Sequence, residues 1–124
     1  MPTLLIAVRA EPLAHALCAK LSSQYEIHTC STPNKTAELL AQLRPDVLIA
    51  DVRILYTQDP PHIRIPDPHP SSILVLTDIA TDSILEAIYA SGAHAVMKIP
   101  CRIDAVIRTL EHITKEAPHL EFSL

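Results

Sequence analysis

Apolar residues run along this chain in two alternating rhythms. Thr3-Leu4-Leu5-Ile6-Ala7-Val8 is an unbroken apolar stretch, the pattern of a strand covered on both faces. Pro12 follows and suits a first helical turn, after which Leu13, Ala16, Leu17 and Leu21 recur at helical spacing. Tyr25 to Cys30 reads as a short strand. Thr32 is placed as an N-cap with Pro33 behind it, and Ala37, Leu39, Leu40 and Leu43 give that helix its apolar face before Pro45 stops it. Val47-Leu48-Ile49-Ala50 and Ile73-Leu74-Val75-Leu76 are further apolar strands, ending at Asp51 and Thr77. Ile84, Leu85 and Ile88 share one side of a helix predicted from about Thr81 to Ser91, and Gly92 supplies its stop. Ala95-Val96-Met97 reads as the last strand, and Ile103, Val106, Ile107, Leu110 and Ile113 mark a final amphipathic helix. Strands alternating with helices predict an α/β domain: five parallel strands with helices on both faces.

One stretch breaks the alternation. Pro60, Pro61, Pro66, Pro68 and Pro70 crowd the third crossover. Proline lacks the backbone donor and clashes inside a helix at roughly 3 kcal/mol. An irregular extended loop is therefore expected over about 56–72, replacing or shortening the third crossover helix. Without a helix there, one face of the sheet is expected to lie open unless the loop or a partner covers it. The domain is expected to span 1–116, with 117–124 as a short tail.

The 124 residues suit one domain, and 48% hydrophobic content excludes a disordered chain. A net charge of -4 argues against direct nucleic-acid contact by this domain. No segment reads as a signal peptide or approaches the roughly 20 apolar residues of a membrane span. Cys18, Cys30 and Cys101 are odd in number and widely spaced, which fits reduced thiols in a cytoplasm rather than disulfides or zinc. His62 and His69, with Asp59 and Asp67 in the proline segment, match no common metal spacing. The single glycine excludes a Gly-rich phosphate loop.

Arg44-Pro45-Asp46-Val47-Leu48-Ile49-Ala50-Asp51, Ile73-Leu74-Val75-Leu76-Thr77, Ala90-Ser91-Gly92-Ala93 and Pro100 together resemble the receiver domain of two-component response regulators, over about Thr3 to Lys115. The resemblance implies the flavodoxin-like receiver fold. It makes Asp51 the equivalent of the phosphoacceptor and Thr77 that of the switch hydroxyl. It also implies dimerisation or partner binding through the fourth helix, fifth strand and fifth helix. Arg102, Asp104, Arg108, Glu111 and Lys115 give that face charges of both signs.

The rest of the family's pocket is degenerate. Anchoring on Glu11-Pro12 places Arg9 and Ala10 where receivers carry an acidic pair, and the side chain of Glu11 is expected to point elsewhere. A hard cation such as Mg²⁺ needs oxygen ligands. Counting from Gly92 puts Ile99 at the lysine position and Lys98 one residue early, facing away from the pocket because strand neighbours alternate. Val96 stands at the aromatic position, and Asp78 after Thr77 would repel a phosphoryl group. An Asp51–Arg9 salt bridge is expected to put a fixed cation where the metal would sit.

These residues predict a pseudo-receiver: a non-enzymatic, phosphorylation-independent signalling and interaction module without a cofactor, in the setting of a transcription regulator. Two alternatives stand beside it. One is a true phosphoacceptor, using Mg²⁺ and taking phosphate from a histidine kinase at Asp51. The other is a small-ligand binder with its site in the strand-end crevice.

Overall fold

A computed structural model describes residues 1–58 and 61–122. Five parallel strands form the central sheet: β1 (Thr3–Ala7), β2 (Glu26–Cys30), β3 (Val47–Asp51), β6 (Ser72–Thr77) and β7 (Ala95–Lys98), in the order β2-β1-β3-β6-β7. With the small hairpin β4 (Tyr56–Gln58) and β5 (Pro61–Ile63) set aside, this is the flavodoxin-like order, whose crevice lies where the winding reverses, between β1 and β3. The helices are α1 (Glu11–Leu21), α2 (Pro33–Leu43), α3 (Val52–Leu55), α4 (Asp82–Ala90) and α5 (Ile103–Phe122).

The unbroken apolar runs have a direct cause in the packing. Alternate strand residues feed two separate cores. Leu5, Ala7, Leu48, Ala50, Ile73 and Val75 meet Leu40 of α2 and Ile88 of α4 on one face. Leu4, Ile6, Val47, Ile49, Leu74 and Leu76 meet Leu17 and Leu21 of α1 and Val106, Leu110 and Ile113 of α5 on the other. β3 is buried at every position because both its faces are covered.

The helix ends follow from local chemistry. The Thr32 hydroxyl accepts the Lys35 N–H at 3.2 Å, and Arg44 closes α2 in the left-handed region at φ 45°. Thr81 caps α4, and Gly92 follows it at φ 116°, a conformation that side-chain-bearing residues rarely adopt. The helical backbone of α5 continues through Phe122 and takes in most of the stretch expected as a tail; Ser123 and Leu124 lie outside the described residues. Among the described residues no helix is long and apolar enough to cross a membrane.

The third crossover keeps a shortened helix, as expected, but forms a hairpin where an irregular loop was expected. It opens with one turn of helix, α3, and continues into the antiparallel pair β4–β5, with Tyr56 opposite Ile63. Asp59 and Pro60 lie outside the described residues. The physical reason is visible in Ile63-Arg64-Ile65, whose alternation suits an extended segment rather than a helix. The expected open sheet face is closed by this segment itself, because Ile54, Leu55, Ile63 and Ile65 all enter the core. The Arg64 N–H donates to the Leu55 carbonyl at 3.0 Å, and a ring nitrogen of His69 bonds the Ile65 carbonyl at 2.8 Å. These bonds satisfy backbone groups that the missing helix would otherwise have paired.

Candidate functional site

The C-terminal ends of β1, β3 and β6 converge on a cleft of about 360 Å³ lined by Arg9, Ala10, Asp51, Arg53, Asp78 and Ile99. Five of the residues expected at a degenerate pocket are thus brought together: Arg9, Ala10, Asp51, Asp78 and Ile99. Glu11 instead starts α1 and lines a separate cleft beside His15 and Cys18. Lys98 is exposed and pairs in register with Thr77, while Ile99 takes the cleft position, as strand alternation requires. Val96 packs against the core on the α4 side.

Asp51 ends β3, only 8% exposed, and one carboxylate oxygen accepts the Arg53 N–H at 3.0 Å, capping α3. Thr77 is fully buried. Its hydroxyl donates to the Ile79 carbonyl at 2.7 Å and accepts the Ile79 N–H at 3.0 Å. The hydroxyl therefore holds the turn after β6, the local side-chain-to-backbone role that threonine takes at strand ends.

The expected Asp51–Arg9 salt bridge does not form. Ion pairs form instead at Lys35–Glu38, Arg53–Asp78 and His69–Asp67. Arg53 grips Asp78 with two parallel bonds, Nε to Oδ1 at 3.2 Å and Nη2 to Oδ2 at 2.8 Å. This is the bidentate geometry that suits a guanidinium to a carboxylate. The bond to Arg53 is the main cause holding the Asp78 carboxyl below its ordinary range, with a smaller contribution from the charge of Arg9. The same bond raises the Arg53 guanidinium, and the charges of Asp78 and Asp51 add to it. The positive charge of Arg9 is thus felt at Asp78.

Arg53 is the site residue that sequence reasoning missed. Its signal was its place two residues after Asp51, opposite an acid that follows the neighbouring strand. β3 and β6 are adjacent and in register from Val47↔Ser72 to Asp51↔Leu76, so the segments after them meet.

Among the described residues no group of three or more His, Cys, Asp or Glu side chains could hold a metal ion. The thiol of Cys30 is raised by burial, and its sulfur lies 3.3 Å from the Thr36 hydroxyl.

Comparison with known proteins gives the fold. No family profile and no curated protein matches the chain. Solved structures do. A CheY-like response regulator receiver domain from Methanospirillum hungatei superposes with a TM-score of 0.76 at 12% identity, covering 96% of this chain and 98% of that one. The signal receiver domain of a signal transduction histidine kinase from Syntrophus aciditrophicus gives 0.72 at 17% identity, covering 94% and 92%. A response regulator from Burkholderia pseudomallei, with a phosphorylated aspartic acid, a calcium ion and citrate, gives 0.69 at 15% identity, covering 98% of this chain and 73% of that one. The chain has the flavodoxin-like α/β fold of these receiver domains.

Proposed function

We propose that this chain is a receiver-like signalling module that works without an aspartyl phosphate, by binding a protein partner or a second copy of itself. The observation that carries this reading is the Arg53–Asp78 ion pair across the strand-end cleft, with Arg9 and Ala10 also lining it. Phosphotransfer in a receiver needs a hard cation held by several oxygens, which offsets the charge of the incoming phosphoryl group. Among the described residues two acids line this cleft, Asp51 and Asp78, and Asp78 is already bound to a guanidinium. Two arginines share the same space. This donor set fits Mg²⁺ poorly.

The partner surface we favour is the face made by α4, β7 and α5. Arg102, Asp104, Arg108, Glu111 and Lys115 are all exposed there, and Tyr89 of α4 is 52% exposed. Charges of both signs on one patch permit a self-complementary contact. The module itself is non-enzymatic in this reading. Its setting is cytoplasmic, in keeping with three free thiols, and it serves as the regulatory part of a transcription regulator.

A second reading, a true phosphoacceptor, rests on Asp51 standing at the end of β3 in the cleft. Incubation with acetyl phosphate and Mg²⁺ separates the two. Intact-mass analysis is expected to find no phosphoryl adduct. An adduct that forms on the native chain and is lost in Asp51→Asn overturns the proposal in favour of the second reading.

A further inference from the structure

The shortened third helix opens a second cleft beside the strand-end one. Val52 and Arg53 of α3, Tyr56 of β4, Ile63 of β5, Ile79 in the turn after β6 and Ile84 of α4 enclose about 240 Å³. Its walls are mainly apolar, and among the described residues no acid lines it. Among the described residues Arg53 is the one charged group lining it, and Arg53 lines the strand-end cleft as well. Tyr56, 42% exposed, presents a ring at the edge.

The guanidinium has donors to spare. It carries five N–H groups in a planar fork. Nε and Nη2 are engaged by Asp78, while Nη1 makes no hydrogen bond to the described residues. Asp78 thus fixes the fork in place and leaves one edge of it unoccupied. An apolar slot edged by a guanidinium that Asp78 holds through Nε and Nη2, with Nη1 left to donate, is complementary to a small molecule with a flat apolar body and a single negative charge. Sites for drug-sized ligands run to about 300–1,000 Å³, so this slot suits something smaller.

We propose that this groove binds a small aromatic carboxylic acid. The ring lies against Tyr56 between Ile63 and Ile84, and the carboxylate takes the N–H groups of Arg53 that Asp78 leaves unused. The groove shares Arg53 with the strand-end crevice, but the proposed contact does not require Asp51 to be phosphorylated. It is lined by Arg53 of the crevice's ion pair and by Ile79, the residue after Asp78. Occupancy of the groove therefore bears on the turn after β6, which gives the module a ligand input that needs no phosphate.

The test is an NMR titration of the ¹⁵N-labelled full chain with phenylacetate, and in parallel with its neutral isostere phenylacetamide. Saturable shifts are expected at Val52, Tyr56, Ile63, Ile79 and Ile84, with millimolar affinity for so small a ligand. The amide is expected to bind about tenfold more weakly, the scale of one charge-assisted hydrogen-bonded contact. Arg53→Met is expected to cost the acid about the same factor and leave the amide unchanged. Asp78→Asn serves where Arg53→Met disturbs the fold. It keeps the guanidinium and removes a competing charge, so it is expected to hold or raise affinity for the acid. Equal binding of acid and amide overturns the proposal, as does an absence of saturation or a set of shifts centred away from the groove. Concentration-dependent shifts at these residues without ligand also overturn it, because a second copy of the chain would then be the occupant.

Discussion

Arg53 and Asp78 join the segments that follow two adjacent strands, with the guanidinium fork closing on both carboxylate oxygens at 3.2 and 2.8 Å. The two side chains are 45% and 47% exposed, so water and salt weaken their attraction. The value of the pair lies in position: it ties α3 to the turn leading into α4 at the mouth of the cleft. The sign of its pH dependence follows from Asp78. Its carboxyl is held below the ordinary value of 3.8 in the folded chain. A lowered folded value stabilises fully above the unfolded value and is lost as pH falls through the folded one. The stability difference between the native chain and Asp78→Asn is therefore expected to be level near neutrality. It should shrink only in acid, below the ordinary carboxylate range, and should also shrink with added salt. Urea unfolding across pH checks this. A difference that grows on acidification contradicts it.

Thr77 is committed to the turn after β6. Replacing it with valine keeps the volume near constant but orphans the Ile79 N–H and carbonyl that the hydroxyl now serves. Thr77→Val is expected to destabilise the fold by about 1–3 kcal/mol, the cost of unsatisfied buried polar groups. Thr77→Ser is expected to recover most of it. Chemical denaturation of the pair decides, and equal stability of valine and serine variants would rule out the hydroxyl's structural role.

Gly92 is constrained by its backbone and by a neighbour. It sits at φ 116°, and a Cβ built there would meet the His69 ring at 3.1 Å. Gly92→Ala is expected to cost about 1–3 kcal/mol through the strained dihedral. Combining it with His69→Ala should relieve the contact and leave the dihedral strain. The melting temperature of the double variant should therefore stay below that of His69→Ala alone.

Ile65 tests whether the proline-rich crossover belongs to the core. It is 2% exposed and packs with Leu55 and Ile63. Ile65→Ala is expected to cost about 2–5 kcal/mol, the range for deleting a buried aliphatic side chain. A loss within a few tenths of a kcal/mol would mean that the segment merely drapes over the sheet.

The sheet was legible because residues such as Val47 to Ala50 are apolar at every position, a pattern only a doubly covered strand needs. Thr32 announced its helix because a capping hydroxyl acts within one turn. The register of Lys98 and Ile99 was legible because strand side chains alternate. The hairpin was hidden because the prolines around it speak against a helix without saying what replaces one. The buried Ile63 and Ile65 show their purpose only once the sheet face beneath them is placed. Arg53 and Asp78 are 25 residues apart, and no local rule connects them. Choosing Arg9 as the partner of Asp51 followed from their shared end of the sheet. Which arginine meets which aspartate is decided by how each side chain leaves its strand.

The most direct measurement of the central claim is a Mg²⁺ titration of the ¹⁵N-labelled chain, repeated with beryllofluoride as a stand-in for the phosphoryl group. The expected result is no saturable change at Arg9, Ala10, Asp51, Thr77 or Asp78, with spectra of the native chain and Asp51→Asn responding alike. Saturable shifts around Asp51 that deepen with beryllofluoride and vanish in Asp51→Asn would contradict the account.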